Sequence, residues 1–130
     1  NRVPRRFFYD MSGASHTYAS STFREYNGVT TSRVRLLNGI KDQNVMVGAG
    51  AYTFIGTAGQ QARIGVGVNS TSSVQGATLW DNAATSPQRA AGAPYTGVPE
   101  LGFSYFACLE AATSGTGTFD AARLSGQWAC

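Results

Sequence analysis

The chain has 130 residues, of which 10 are basic and 7 acidic, giving a formal net charge of +3 and a charged share of only 13%. That share is about half the usual one. A content of 42% hydrophobic and 12% aromatic residues argues against disorder, and the length suits one domain, residues 1–130, burying about two-thirds of its unfolded surface. No apolar run nears the ~18 residues of a membrane span, no Lys/Arg run exceeds two residues and no RNA-binding or helix-turn-helix signature is present. Membrane insertion and nucleic-acid binding are therefore not expected.

Strand signals dominate from the start. "RRFFYDM" (5–11) and "HTYASSTFREY" (16–26) flank a Ser12-Gly13 turn. Asn27-Gly28 offers a type I′ turn, whose two positive φ angles these residues tolerate. "TTSRVRLL" (30–37) is then expected to return antiparallel, with Arg33 and Arg35 on one face and Val34 and Leu36 on the other. A second turn follows at Asn38-Gly39.

The next two runs, "VMVGAGAYTFI" and "ARIGVGV", alternate small apolar residues with glycine. A hairpin around residues 57–60 would set Tyr52 against Gly65, Ala51 against Val66 and Gly50 against Gly67. Shifting that register by one residue would mix the two faces. The expected hairpin has a glycine floor of Gly48, Gly50, Gly65 and Gly67, with Tyr52 lying across it as aromatics do beside strand glycines. Such a floor lets another backbone or a ligand approach closely. Subunit contact or close sheet packing is the plainer reading and a ligand groove the other.

Residues 69–100 are rich in Gly, Pro, Ser and Ala and read as a long irregular loop. "GFSYFACLEAA" and "TGTFDAARLSGQW" then read as two strands joined at Ser114 and Gly115. In the first, Phe103, Tyr105, Ala107 and Leu109 alternate with Ser104, Phe106, Cys108 and Glu110, which favours strand over a short helix. Seven or eight strands with closely spaced turns predict an all-β antiparallel sandwich, jelly-roll-like.

Catalytic chemistry is sparsely supplied. The single histidine, His16, adjoins a turn and reads as a solvated polar residue rather than a general base. The seven acids are scattered, and no nucleophile elbow, phosphate loop or dinucleotide fingerprint is present. Two cysteines and one histidine do not make a zinc site. Neither an enzyme nor a cofactor or metal is expected. Asn69-Ser70-Thr71 matches the glycosylation triplet, which arises often by chance.

Cys108 and the terminal Cys130 leave an intrachain bridge, an interchain bridge or two free thiols open, and the unconstrained terminal Cys130 is expected to be bridged, to a neighbouring chain ahead of Cys108. The strongest ligand candidate is Trp80 beside Asp81 and Asn82, with Tyr95 as a second aromatic platform. A sugar ring stacks on indole while its hydroxyls take polar partners. Trp80 as a plug over the end of the sandwich is the plainer alternative.

Taken together, "NRV", "ASSTFREYNGVTTSRVRLLNGIKDQNV", "ARIGVGVNSTSS" and "ELGFSYFACLEAATSGTGTFDAARLSGQW" resemble a C-terminal module of tailed-bacteriophage fibre, spike or collar proteins. The resemblance covers most of the chain outside the long loop. It implies a β-rich structural protein on the exterior of the virion, a homotrimer that contacts other virion proteins, with no cofactor and no catalytic set to transfer. The chain departs from the pattern in ending Trp128-Ala129-Cys130 and in carrying Cys108. The abrupt opening at Asn1 reads as the start of the C-terminal part of a longer polypeptide. Two functions follow as expectations: a structural module that oligomerises and presents loops, or a receptor-binding tip that recognises a host surface glycan.

Overall fold

A computed structural model describes residues 4–11, 15–30, 33–39, 44–56, 59–76, 79–81, 89–113 and 115–129. Among them are ten strands: β1 (Pro4–Met11), β2 (His16–Tyr18), β3 (Arg24–Glu25), β4 (Arg33–Asn38), β5 (Val45–Ile55), β6 (Ala62–Val68), β7 (Leu79–Asp81), β8 (Arg89–Gly97), β9 (Gly102–Ala112) and β10 (Gly117–Ala129). A 3-10 turn, Tyr26–Gly28, follows β3.

Every pairing is antiparallel. In the first sheet the order is β1-β10-β5-β8, and β2 also pairs β10; in the second it is β3-β9-β6-β7, and β4 also pairs β9. β1 and β2 lie end to end along one edge of β10, and β4 and β3 lie end to end along β9. Counting each broken edge as one strand gives eight positions, ordered 1-8-3-6 and 2-7-4-5. That is the jelly roll.

The core lies between the two sheets and follows from alternation. β5 buries Val45, Val47, Ala49, Ala51, Thr53 and Ile55 and turns the intervening residues outward. Facing it, β6 contributes Ala62, Ile64 and Val66, and β9 contributes Phe106 and Cys108. On β10, Phe119 and Leu124 both point inward although five positions separate them. A register shift between Asp120 and Arg123 restores the parity, as an inserted residue does at a β-bulge. The bulge sits where β2 gives way to β1.

The glycine-floored hairpin is not formed. β5 pairs β10 and β8, while β6 pairs β9 and β7. The two strands belong to opposite sheets, so Gly48, Gly50 and Tyr52 lie on one outer surface and Gly65 and Gly67 on the other. Both runs carry one small apolar face, and packing those faces across a sandwich buries them as well as pairing them edge to edge. Period-2 alternation specifies faces; it does not specify partners.

The same reasoning corrects the other expected hairpins. Asn27 (φ 57) and Gly28 (φ 65) do adopt the left-handed geometry expected of a tight turn. Yet β3 and β4 on either side pair the same edge of β9, so the chain makes an excursion rather than a reversal. β9 and β10 lie in different sheets and do not pair with each other, and Ser114 lies outside the described residues. β6 and β7 are the one consecutive pair that is hydrogen-bonded among the described strands. Residues 69–100 are not one loop, since they contain β7 and β8. β8 is an edge strand, which is where Pro94 is tolerated. The Ser12-Gly13 turn lies outside the described residues.

Candidate functional site

On the outer face of the first sheet, rows of residues run across the strands. Arg6, Gln127, Met46 and Thr96 stand side by side in one row; Ser125, Gly48 and Pro94 form the next. Arg123, Gly50 and Gly92 follow. Long side chains in the first row and small ones on β10, β5 and β8 in the second make a step, and a groove of about 530 Å³ opens there. This is within the size range of small-ligand sites. Phe7, Val47, Tyr95 and Gly126, neighbours along the same strands, complete its lining.

The groove's polar groups are largely uncommitted. Among the described residues no hydrogen bond or ion pair engages Arg6, Thr96 or Ser125, all of which are exposed. Gln127 makes one weak contact, its Nε2 lying 3.6 Å from the Met46 sulfur. Gly48 leaves the floor open, since a Cβ there would come no nearer than 3.9 Å to the Ser125 hydroxyl.

The second sheet's glycines have the opposite surroundings. A Cβ on Gly65 would sit 2.6 Å from a methyl of Val74, and one on Gly67 would strike the Ser70 carbonyl. Residues 69–76 fold back over them, held by Gln75 N to Val66 O (2.8 Å) and by Asn69 N to Tyr105 O (2.9 Å). Asn69 adopts a positive φ of 51° and accepts the Tyr105 amide on Oδ1 at 2.8 Å. This side chain, which heads the glycosylation triplet, is thus occupied in joining the loop to β9.

A second constellation lies inside. Glu110 is fully buried on the inner face of β9. His16, on β2 of the opposite sheet, places Nε2 at 2.6 Å from Glu110 Oε2. Arg24 donates to Oε1 from Nε (2.9 Å) and lies 2.8 Å away through its second nitrogen; the Asn27 amide donates to the same oxygen at 3.2 Å. His16 stacks on Phe119 at 5.8 Å and meets Tyr26 edge-on at 4.7 Å. The Arg24 guanidinium covers the Tyr18 ring at 3.8 Å. His16 Nδ1 is buried and has no partner among the described residues, which favours the tautomer with its proton on Nε2.

Burial pushes the Tyr26 phenol and the Cys108 thiol well above their usual ranges, with the Glu110 charge adding to both. Glu110 has no exposed surface and His16 Nδ1 is buried, while the His16 side chain as a whole is 12% exposed. Their arrangement pins one sheet to the other at this end of the sandwich.

A third feature is apolar. Leu37 and Phe103 are cross-strand partners on the outer face of the second sheet, and they are 79% and 61% exposed, with Leu101 beside them at 57%. Next to them Arg33 lies over the Tyr105 ring at 4.4 Å and donates from its terminal nitrogen to Glu25 at 2.9 Å. That bond raises the Arg33 pKa further above its ordinary value.

Of the residues singled out in the sequence, Tyr95 borders the groove, but its ring turns inward against Phe106 at 6.0 Å and packs on the core rather than forming an exposed platform. Trp80 and Asp81 lie in β7, paired with Arg63 and Ala62 of the second sheet; their side chains, and Asn82 entirely, lie outside the described residues. Gly48, Gly50 and Tyr52 are on the open outer face of the first sheet, whereas Gly65 and Gly67 are buried under their own chain and offer nothing to a neighbouring subunit. Cys108 is a free, fully buried thiol, and Cys130 lies outside the described residues. His16 is not a solvated surface residue; it is mostly buried against Glu110.

Sequence reasoning missed the Glu110 cluster. Its signal was present: Glu110 follows Phe106 and Cys108 at two-residue spacing, a carboxylate on an apolar face, and buried charges are paired. Among the described residues no group of three His, Cys, Asp or Glu side chains is placed to hold a metal ion, and no helix is long and apolar enough to cross a membrane. No protein-family model and no curated protein matches the chain.

Proposed function

We propose that this chain is a structural module of a tailed-bacteriophage appendage, a fibre, spike or collar component on the outside of the virion. It associates with copies of itself as a trimer and contacts other virion proteins. The observation that carries this reading is the exposed Leu37–Phe103 pair with Leu101, an apolar patch on a β-sheet face of a chain with few charges. Patches of this kind mark protein contacts, and closed homo-oligomers are the commonest way to cover them. The sequence resemblance supplies the virion setting and the trimer.

Gold-labelled antibody against the chain, applied to intact particles that carry it, tests the setting. Label on an external appendage is the expected result, and particles that remain unlabelled after the chain has been detected in them by denaturing gel would overturn it.

A second reading, a receptor-binding tip for a host surface glycan, is favoured by one observation. The groove on the first sheet faces away from the apolar patch on the second, so both faces can be engaged at once.

A further inference from the structure

We infer that the groove on the first sheet takes a saccharide bearing a carboxylate, an inference that rests on the receptor-tip reading and gives it a ligand class. The argument begins with what the groove cannot do. It lies over β10 and β5, strands paired on both sides, so their main-chain groups are already satisfied. A peptide strand docks by adding to a sheet edge, and no edge is offered at the centre of this groove. Recognition here falls to side chains.

Those side chains are a guanidinium, a carboxamide and two hydroxyls: Arg6, Gln127, Thr96 and Ser125. Among the described residues that line the groove, Arg6 is the one charge and none is a carboxylate that could neutralise it. Guanidinium and carboxylate match in a bidentate, charge-assisted pair. Hydroxyl and amide groups that both donate and accept suit a ligand rich in hydroxyls. Gly48 leaves room above the sheet for a ring, and Pro94 and Met46 offer apolar surface to its C–H face. A neutral apolar ligand would leave Arg6 desolvated without a partner, and a phosphate would leave the hydroxyl and amide groups beyond the first contact unused.

The test is a titration of the ¹⁵N-labelled chain with digalacturonate and, separately, with its neutral counterpart galactobiose. Digalacturonate is expected to shift the amide resonances of Gly48, Ser125 and Gln127. Arg6→Gln should weaken it by about tenfold, the worth of one charge-assisted pair. Gly48→Leu, which raises a side chain from the floor at a site open to a Cβ, should abolish binding while leaving the strand circular dichroism and melting intact.

Equal binding of the two sugars, with Arg6→Gln inert, would overturn the carboxylate assignment while leaving a glycan-binding tip standing. Absence of groove shifts with both sugars overturns the saccharide assignment itself. Unchanged binding by folded Gly48→Leu would place the ligand elsewhere and also overturn it.

Discussion

Gly65 and Gly48 occupy equivalent places in two similar runs of sequence, yet a methyl group would have opposite consequences at each. On Gly65 it meets the Val74 methyls, and on Gly67 the Ser70 carbonyl, both at less than contact distance. Forced overpacking costs about 1–3 kcal/mol, so Gly65→Ala and Gly67→Ala should each lower the urea midpoint by that equivalent. Gly48→Ala should stay within about 0.5 kcal/mol of the parent, as surface substitutions do. Glu110 is the other decisive residue. Removing one partner of a buried charge pair costs about 3–5 kcal/mol, and Glu110→Ala should show a loss of this order by urea denaturation. A double-mutant cycle with His16→Ala should give a coupling of about 0.5–3 kcal/mol. Which residues alternate is legible in the sequence; which glycine is covered and which left open is not, because the cover comes from a loop whose path no local pattern specifies.

At the scale of elements, the inward face of β5 is readable from Val45, Val47 and Ala49, and the strand character of "YFACLEAA" from its alternation. Pairing is another matter. In a jelly roll nearly every connection crosses from one sheet to the other, so neighbours in sequence are seldom neighbours in a sheet. Hairpin turn signals such as Asn27-Gly28 report positive φ correctly and topology wrongly. β9 shows a related inversion. The face that looks more apolar, Phe103 to Leu109, is the outer one, and the face holding Ser104, Cys108 and Glu110 is the core. Phe103 at the outer end of β9 stays exposed while Glu110 is buried because His16 and Arg24 meet it there. Cys108 is deeply buried on that core face, and burial raises its thiol pKa. It should resist alkylation by iodoacetamide in the native chain and react fully once urea unfolds it.

For the whole molecule, the raised thiol of Cys108 and phenol of Tyr26 set a pH dependence. Both groups stay protonated in the folded state at pH values where the unfolded chain ionises, about 8.5 for a thiol and about 10 for a phenol. The folded state then binds more protons than the unfolded one, so stability declines as pH rises. This contribution is complete below pH ~8.5 and is lost progressively above it. Urea midpoints should fall between pH 8 and pH 11, and Cys108→Ala should flatten the first part of that fall. The two outer faces differ in kind: the first sheet carries the open groove, and the second carries the apolar patch through which the proposed trimer would form. Self-association through Leu37, Leu101 and Phe103 is the central claim, and sedimentation velocity across micromolar to millimolar concentrations tests it most directly. The parent chain should sediment as a trimer, and Leu37→Lys combined with Phe103→Lys should sediment as a folded monomer. A parent chain that remains monomeric throughout, or a folded double variant that still forms trimers, would contradict it.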